Sequence, residues 1–478
     1  MKLSNTIPCI AACMAFIPPA FAAAYGNAPA PEKNTAAAPT TAPSAATAAS
    51  VSAAAPAPAA TTAATTVPTS YKFSFGAGEK QTAGTTKVTA DMVYDDARGY
   101  GFEASNPVKI ASGNDKSGNT PSGVVTGDKQ FFFSMKLPQG NYKFTVTFGN
   151  PDVPTTNFVK AELHRLMLEN VSTKPGEYVT KTFIVNEHQP QFDGGKVALK
   201  GARETNDESW SWDDRITLEF SGTQPSVANI AVEKVDVPTI YIIGDSTSCD
   251  QMADPYSSWG GMVTNFFKPE VAVCNFGESG ETLADGLHDR RFDKAWSQMK
   301  PGDYLFVQYG HNDMKEKPSA NNPVPLDTFK TDLHRVATET KAHGGTLILV
   351  TPVSRADPKS GFAGFVEAMK AVDADEKVPL IDLNATSKTL YTAFGDETVY
   401  HKLLFAYDSK GALDPTHHNR FGSYEIAKTV LADVQQDKLD LAKYIVDGFS
   451  FDPAKPDKVS DFKVPASTNI ATDKPPGS

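Results

Sequence analysis

The hydrophobic and polar positions divide the chain into two regions with different periods. In the first region, apolar and polar residues alternate in short segments such as 71–75, 141–148 and 215–220, and Gly, Asn, Asp and Pro separate the segments. A period of two residues is typical of strands with one buried face, and few segments here have helical spacing. The pattern predicts an all-β sandwich or jelly roll over residues 71–236.

In the second region, short apolar runs alternate with helical patterns. The apolar runs lie at 239–243, 271–274, 304–308, 346–350 and 378–383. The helical patterns lie near 288–299, 325–343, 361–375 and 421–435. This alternation predicts an α/β domain over residues 237–450, with a parallel sheet covered by helices on both faces. Such sheets bind ligands beyond the carboxyl ends of their strands.

Both ends of the chain differ from these two regions. Residues 1–24 combine Lys2, an apolar stretch and small-x-small cleavage sites, which is typical of an export signal. Residues 25–70 are almost entirely Ala, Pro, Thr and Ser and are predicted to be a disordered linker. Residues 451–478 are rich in Pro, Asp and Lys and are predicted to be a loose tail. We expect a secreted or periplasmic protein, with a lipid anchor at Cys13 as the minor alternative.

Composition and charge narrow the class of partner. The 478 residues include 45 basic and 56 acidic side chains, which gives a formal net charge of -11. A nucleic-acid partner is not expected, because phosphate contacts require a concentrated positive face. After the leader, no apolar run approaches the ~20 residues that a membrane helix needs. The sequence does not indicate an oligomeric state.

The cysteines leave two alternatives open. Cys249 and Cys274 remain after the leader, and an even number in an exported protein permits one disulfide bond. Two free buried thiols are the other interpretation. The chain has no CxxC motif and no Cys/His cluster of zinc spacing, so we expect neither a metal nor another cofactor.

Four polar motifs carry the candidate chemistry, and three of them begin where a predicted strand ends. They are Gly244-Asp245-Ser246-Thr247, Asn275-Phe276-Gly277-Glu278-Ser279-Gly280, Gly310-His311-Asn312-Asp313 and Asp414-Pro415-Thr416-His417. Because the carboxyl ends of parallel strands share one edge of the sheet, the motifs are expected to converge. Each motif alone is weak evidence, but their order and placement together are strong.

The residue types fit acyl transfer. A serine such as Ser246 becomes a nucleophile when a base such as His417 takes its proton. Asp414, three residues before His417, could orient that imidazole. Oxyanion donors could be the backbone N–H groups of Ser246 and Gly280 and the side-chain amide of Asn312. The chain lacks a G-x-S-x-G elbow, which argues against an ordinary α/β-hydrolase.

The four blocks resemble the SGNH/GDSL hydrolase superfamily over residues 238–440. Ser246, Gly280, Asn312 and His417 match its four named positions in order. The segments 308–313 and 414–419 are similar to the rhamnogalacturonan acetylesterase branch, carbohydrate esterase family 12. The segments 87–91 and 98–102 are similar to the start of a galactose-binding-like β-sandwich. The resemblance implies a three-layer, flavodoxin-like hydrolase domain behind that sandwich.

The resemblance also implies roles for individual residues. Ser246 would be the nucleophile, His417 the base and acid, and Asp414 its partner. Ser246, Gly280 and Asn312 would form the oxyanion hole. His311 would hydrogen-bond the loops that hold the site, although a plain structural role is equally open. Two further residues are expected to contact substrate: His418 and Arg355. A metal site built from Asp414, His417 and His418 is disfavoured because no further ligand set accompanies them.

One motif departs from the acetylesterase branch. The branch commonly has Arg-Ser after the glycine of the second block, whereas Glu281-Thr282 follows Gly280 here. An acid at this point would repel acidic galacturonate chains unless nearby bases compensate. The departure puts the pectic substrate in question, but it leaves the esterase chemistry intact. The candidate compensating bases are Arg290, Arg291, Arg355 and Arg420.

Trp210 and Trp212 are a candidate sugar contact in the first region. If both lie in one strand, a spacing of two places their rings on the same face, where they could stack on sugars. Packing in the core is the commoner fate of such residues. Both interpretations stay open at this point.

The sequence thus predicts a secreted serine esterase that removes O-acetyl groups from a plant cell-wall polysaccharide, rhamnogalacturonan or another pectin. A deacetylase of another glycan such as xylan is one alternative. A non-catalytic carbohydrate-binding protein on a hydrolase fold is another. A lipase or thioesterase of the same fold is disfavoured, because no amphipathic stretch suits a lid.

Overall fold

The computed structural model describes residues 67–76, 84–104, 106–112, 121, 123–315, 324–362 and 364–467. The predicted export signal, the alternative anchor Cys13 and nearly all of the predicted linker lie outside the described residues. None of the described helices is long and apolar enough to cross a membrane.

The first region folds as two facing β-sheets. Its strands are β1 (Ser70–Ser74), β2 (Thr86–Lys87), β3 (Tyr100–Phe102), β4 (Val108–Ser112), β5 (Gly123–Gly127), β6 (Phe131–Lys136), β7 (Gly140–Phe148), β8 (Thr155–Ala161), β9 (Arg165–Thr173), β10 (Val179–Glu187), β11 (Gln191–Phe192), β12 (Gly195–Lys196), β13 (Arg215–Thr223) and β14 (Ser226–Val235). One sheet has the order β10–β7–β14–β1–β2, with β5 joining β14 to β4, and the other has the order β3–β6–β13–β8–β9. Neighbours are antiparallel except β1 and β2. The predicted β-sandwich is confirmed.

Strand β7 shows why this sequence forms a sandwich. Tyr142, Phe144, Val146 and Phe148 are fully buried, and the residues between them are partly exposed. Successive side chains of a strand point to opposite faces, so the apolar set meets the facing sheet. Each buried aromatic or aliphatic side chain contributes about 1.5–3 kcal/mol of transfer free energy.

The second region forms a parallel sheet followed by a hairpin. Its strands are β15 (Thr239–Gly244), β16 (Ala272–Asn275), β17 (Tyr304–Gln308), β18 (Thr346–Val350), β19 (Leu380–Ile381), β20 (Phe405–Tyr407) and β21 (Leu413–His418). Its helices are α1 (Trp259–Met262), α2 (Leu283–His288), α3 (Arg291–Gln298), α4 (Leu326–Ala342), α5 (Phe365–Glu376), α6 (Leu383–Ala393), α7 (Glu397–Leu404) and α8 (Arg420–Gln436). The sheet order is β16–β15–β17–β18–β19, and every pair is parallel. The order reverses at β15, where such sheets place their ligand crevice.

The strands of the parallel sheet are buried on both faces, as their continuous apolar runs predict. Ile242 and Phe306 point into one core, which includes Val430 of α8. Ile243 and Val307 point into the opposite core, which includes Val336 of α4. The predicted three-layer α/β architecture is confirmed.

The β-sandwich packs directly against the parallel sheet. The buried Arg165 of β9 lies with its Nε 2.8 Å from Asp250 Oδ2, and its Nη1 donates to the carbonyl of Val273 at 3.2 Å. Leu166 belongs to the same hydrophobic core as Ile240 of β15. The two predicted domains therefore share a buried, partly charged interface.

The C-terminal segment differs from the prediction of a loose tail, which is wrong for residues 451–467. Val464 is buried, and the Ser467 backbone N–H donates to Asp254 at 2.7 Å. The Ser467 hydroxyl donates to Glu219 at 2.8 Å and accepts a hydrogen bond from Lys160 at 2.7 Å. These contacts attach the segment to the sandwich and to the hydrolase domain.

Trp210 and Trp212 do not lie in a strand, which was the condition for placing both rings on one face. Trp210 lies in a 3₁₀ turn, Ser209–Ser211, and Trp212 follows it. The buried Trp212 ring stacks on Phe276, with 5.6 Å between ring centroids, and Trp210 packs on Phe132 at 5.3 Å. The geometry favours the packing interpretation for Trp212, which joins the sandwich to the loop after β16.

Candidate active site

Three side chains form a continuous hydrogen-bonded line at the carboxyl edge of the sheet. Ser246 Oγ lies 2.7 Å from His417 Nε2, and His417 Nδ1 lies 2.9 Å from Asp414 Oδ2. All three residues are at most 1% exposed. The sequence separates Ser246 from His417 by 171 residues, so the fold itself brings them together.

Local turns orient each member of this triad. Ser246 begins the turn after β15, in which the N–H groups of Ser248 and Cys249 both donate to the carbonyl of Asp245. Asp414 and His417 lie in β21, where the Asp414 carboxylate accepts the backbone N–H groups of Thr416 at 2.9 Å and His417 at 3.1 Å. The Asp-x-x-His spacing therefore forms a small closed loop.

These donors keep Asp414 ionised. Burial opposes its ionisation, but the hydrogen bonds and the charge of His417 outweigh burial and lower the pKa of Asp414 to about 2. A carboxylate here accepts a hydrogen bond from Nδ1, which leaves Nε2 free to accept the proton of the Ser246 hydroxyl.

The three predicted oxyanion donors lie on the neighbouring turns. Gly280 has a φ of +75°, a left-handed conformation that favours glycine. Within the described ranges, no protein group accepts a hydrogen bond from the backbone N–H of Ser246 or Gly280. Asn312 Nδ2 donates one hydrogen to the carbonyl of Glu281 at 2.9 Å, and an amide nitrogen carries a second.

His311 connects two of these turns. Its Nδ1 lies 3.2 Å from Asp245 Oδ2, and its ring packs edge-on against Phe362 at 4.9 Å. Burial lowers the pKa of His311, with Asp245 acting in the opposite direction. The bond joins the turn after β17 to the turn after β15, and its importance for activity stays a prediction.

His418 is enclosed, which argues against the substrate contact predicted for it. Its Nε2 lies 2.7 Å from the Tyr391 hydroxyl, which itself donates to the carbonyl of Ser354 at 2.8 Å. The ring packs on Phe405 at 4.6 Å, and burial lowers its pKa to about 3. The structure favours a structural role for a neutral His418.

Glu281 does not repel the substrate as the sequence suggested, because its carboxylate is fully buried and paired. Arg291 Nε donates to Glu281 at 2.7 Å, and the same guanidinium contacts Glu204 at 2.9 Å. Among the other bases considered, Arg290 pairs with Asp293, and Arg420 pairs with Asp254. The alternative that nearby bases compensate for Glu281 is therefore confirmed, and Arg291 is the base that does so.

Sequence reasoning missed two residues that hold the turns together. Asp313 accepts the backbone N–H groups of Leu283 at 3.0 Å and Gly310 at 2.9 Å. Gln251 donates to the carbonyl of Ser246 at 2.6 Å. Asp313 stands in the quoted motif, but its partner Leu283 is 30 residues away, and spacing does not reveal such a contact.

Two cations lie on segments near the triad. One is Arg355, whose contact with substrate stays a prediction, and the other is Lys315, which sequence reasoning did not single out. Lys315 Nζ lies 3.4 Å from Asn312 Oδ1. Ala356, directly after Arg355, donates its N–H to the carbonyl of Pro415 at 2.9 Å. Both cations therefore lie on segments in contact with candidate site residues.

The cysteine alternative resolves in favour of free thiols. Cys249 Sγ contacts Ser279 Oγ at 3.4 Å, and Cys274 Sγ lies 3.8 Å from His188. Burial raises the pKa of both thiols, so they are protonated and inert at neutral pH. Within the described residues, no group of three His, Cys, Asp or Glu side chains has metal-site geometry.

Comparisons with known proteins agree with this division of the chain. The family described as "GDSL-like Lipase/Acylhydrolase family" matches residues 242–422, which contain the triad. The family described as "Beta-agarase/YXIM esterase-like, galactose-binding domain-like" matches residues 71–181 of the β-sandwich.

Three proteins of Bacillus subtilis are similar to this chain. The uncharacterized esterase YxiM is 26% identical over 385 residues, 77% of this chain and 91% of the relative. The probable rhamnogalacturonan acetylesterase YesY is 30% identical, over 43% of this chain and 97% of the relative. The rhamnogalacturonan acetylesterase RhgT is 30% identical, over 43% of this chain and 94% of the relative. The chain therefore belongs to the GDSL-like lipase/acylhydrolase family of esterases and carries a galactose-binding-like domain before its hydrolase domain.

Proposed function

We propose that this esterase removes O-acetyl groups from a pectic plant cell-wall polysaccharide of the rhamnogalacturonan type, outside the cell that makes it. The observation that carries the proposal is the hydrogen-bonded line from Ser246 through His417 to Asp414. The names of two relatives support the acetyl ester and the glycan. The proposal that the protein is exported is based on the predicted export signal over residues 1–24. N-terminal sequencing of protein recovered outside the cells would test whether that segment is removed.

In the proposed acylation step, Ser246 Oγ attacks the carbonyl carbon of the acetyl ester. His417 Nε2, 2.7 Å away, takes the hydroxyl proton and then delivers it to the departing sugar oxygen. Asp414, held ionised, keeps Nδ1 protonated and stabilises the imidazolium that forms. The products are an acetyl-serine ester and the free sugar hydroxyl.

The negative charge that develops on the carbonyl oxygen needs donors that are already in place. We assign this role to the backbone N–H groups of Ser246 and Gly280 and to the second amide hydrogen of Asn312. A water molecule activated by His417 then hydrolyses the acetyl-serine through the same oxyanion, which releases acetate and restores Ser246.

The test is acetate release from acetylated pectin by the full chain and by Ser246→Ala. We expect the substitution to lower kcat by at least about 10³-fold with the fold intact, because the nucleophile is lost. Ser172→Ala, at an exposed position of β9, is the matched serine control. Equal acetate release from wild type and Ser246→Ala would refute the mechanism.

A substrate panel separates the alternatives. Faster deacetylation of acetylated xylan than of acetylated pectin would replace the pectic assignment. Glycan binding without release of acetate from any substrate would favour a carbohydrate-binding protein on a hydrolase fold.

A further inference from the structure

Two positive charges near the triad have no salt-bridge partner among the described residues. Among the residues that the structure describes, Lys315 and Arg355 form no salt bridge, whereas Arg290, Arg291 and Arg420 each pair with a carboxylate. Asp245 and Asp414 attract both cations electrostatically, but neither carboxylate forms a salt bridge with them.

Arg355 belongs to the loop that follows β18. The next residue, Ala356, is hydrogen-bonded to the carbonyl of Pro415, so this loop runs alongside Asp414. Arg355 Nε is buried, and no described residue accepts a hydrogen bond from it. A buried donor without an acceptor is destabilising, so a ligand that supplies the acceptor binds more favourably.

Lys315 ends the turn that follows β17 and carries Asn312. Among the described residues, its Nζ makes one weak contact, the 3.4 Å approach to Asn312 Oδ1. Lys315 therefore adjoins a proposed oxyanion donor, as the Arg355 loop adjoins the segment of Asp414 and His417. Partial burial and the charge of Arg355 lower the pKa of Lys315 to about 8, and an anion bound at this position would offset both effects.

The nearby carboxylates do not neutralise the two cations by direct contact. Asp245 is occupied by His311 and by the backbone N–H and hydroxyl of Thr247. Asp414 is occupied by His417 and by the backbone N–H groups of Thr416 and His417. Among the described residues, both carboxylates are thus hydrogen-bonded to other groups, which leaves the two cations available to a carboxylate of a ligand.

We propose that Lys315 and Arg355 bind a carboxylate of the substrate, from a uronate residue of the glycan next to the acetylated position. The inference rests on the proposed function, since the cations lie beside the proposed nucleophile. A guanidinium offers paired donors that match the two oxygens of a carboxylate, and an ammonium adds a point charge. Neutral glycans such as xylan backbones offer no such group.

The experiment compares acetylated galacturonate oligosaccharides with the same oligosaccharides after methyl esterification of their carboxyl groups. The readout is the ratio of kcat/KM for the free-carboxylate form to that for the methyl ester. We expect a ratio well above one for wild type. In Arg355→Gln and in Lys315→Met, the ratio should fall about 10-fold to 100-fold, because each loses a charged hydrogen bond.

Matched variants separate charge from structure. Lys315→Arg keeps the charge and should retain most of the ratio. Arg355→Lys keeps the charge but loses the paired donors, so its ratio should lie between those of wild type and Arg355→Gln. Lys341→Met removes an exposed cation at the end of α4 and should leave both the activity and the ratio unchanged. A wild-type ratio near one, or equal losses on both substrates in Arg355→Gln and Lys315→Met, would overturn the proposal.

A binding measurement distinguishes failure of this inference from failure of the proposed function. Calorimetry on Ser246→Ala with unacetylated oligogalacturonate needs no turnover. Binding that weakens about 10-fold in Ser246→Ala/Arg355→Gln would support the carboxylate site even if no acetate were released. Acetate release combined with equal binding of oligogalacturonate and its methyl ester would reject the carboxylate site and leave the esterase in place.

Discussion

The cations near the active site differ in whether a carboxylate pairs with them. Arg291 is fully buried and contacts two fully buried carboxylates, those of Glu281 and Glu204. Lys315 and Arg355 are partly exposed and have no carboxylate partner among the described residues. Both groups lie next to residues that carry the proposed oxyanion donors.

This difference suggests two roles for the cations: Arg291 stabilises the loops of the site, whereas Lys315 and Arg355 are available to bind an anionic ligand. Arg291 holds the side chain of Glu281, the residue after Gly280. The backbone carbonyl of Glu281 in turn accepts a hydrogen bond from Asn312. Removal of one partner from a buried ion pair leaves the other charged and desolvated, which is costly. Removal of an unpaired cation leaves no buried carboxylate without a partner, and it also removes the desolvation cost of the cation itself. Such a substitution should therefore increase the free energy of unfolding.

The largest effect is expected for Arg291→Met. This variant removes the guanidinium from two buried carboxylates and leaves Glu281 only Lys200, at 3.5 Å. The free energy of unfolding should fall by about 3–5 kcal/mol. Chemical denaturation measures the change. The matched control is Arg290→Met, because the Arg290–Asp293 pair is 39% and 31% exposed and should contribute only about 1 kcal/mol or less. Equal losses in the two variants would contradict the distinction.

A smaller loss is expected for Glu281→Gln. The amide keeps the shape of the side chain, and Arg291 retains Glu204, so the free energy of unfolding should fall by about 1–3 kcal/mol. Denaturant melts of Glu281→Gln, Arg291→Met and the double variant would measure the coupling between the two residues. Purely additive losses would show that the contact contributes nothing of its own.

Much of the site could be predicted because its signals are local. Asp414 and His417 are three residues apart, and the apolar run 304–308 coincides with β17 and places Asn312 beyond its end. The meeting of Ser246 with His417 was expected from the family resemblance, because the motif 414–417 lies in β21 and not at the end of a strand of the parallel sheet. Helix α6 was missed because its sequence, LNATSKTLYTA, is rich in Asn, Thr and Ser, which are weak helix formers.

Contacts that depend on three-dimensional packing could not be predicted from the sequence. Glu281 was expected beside the substrate, and only the fold shows that Arg291 and Glu204 enclose it. The interface pair Arg165 and Asp250, and the contact of Asp313 with Leu283, join residues with no periodic relation. Lys315 was overlooked because nothing in its immediate sequence distinguishes it from a solvated surface lysine.

Substitution of the unpaired cations should raise the free energy of unfolding, whereas Arg291→Met should lower it. Lys315→Met and Arg355→Met keep most of the aliphatic stem and remove a partly desolvated charge. Each should raise the free energy of unfolding by about 1 kcal/mol after allowance for solvent screening. Denaturant melts on the same scale as those of Arg291→Met provide the measurement. A loss of stability in both variants would place these cations in the same structural class as Arg291.

The smallest effect concerns the pH dependence of stability. In the folded protein the pKa of Lys315 is lowered to about 8 by burial and by Arg355, with Asp245 and Asp414 acting in the opposite direction. The unfolded lysine keeps a pKa of about 10.4, so between these values the unfolded state binds more protons and stability rises with pH. Below pH 8 both states are protonated, and the folded state bears the full cost of the buried charge. Melts of wild type and Lys315→Met from pH 7 to pH 10 should therefore converge as the pH rises, and curves that stay parallel would contradict this account of Lys315.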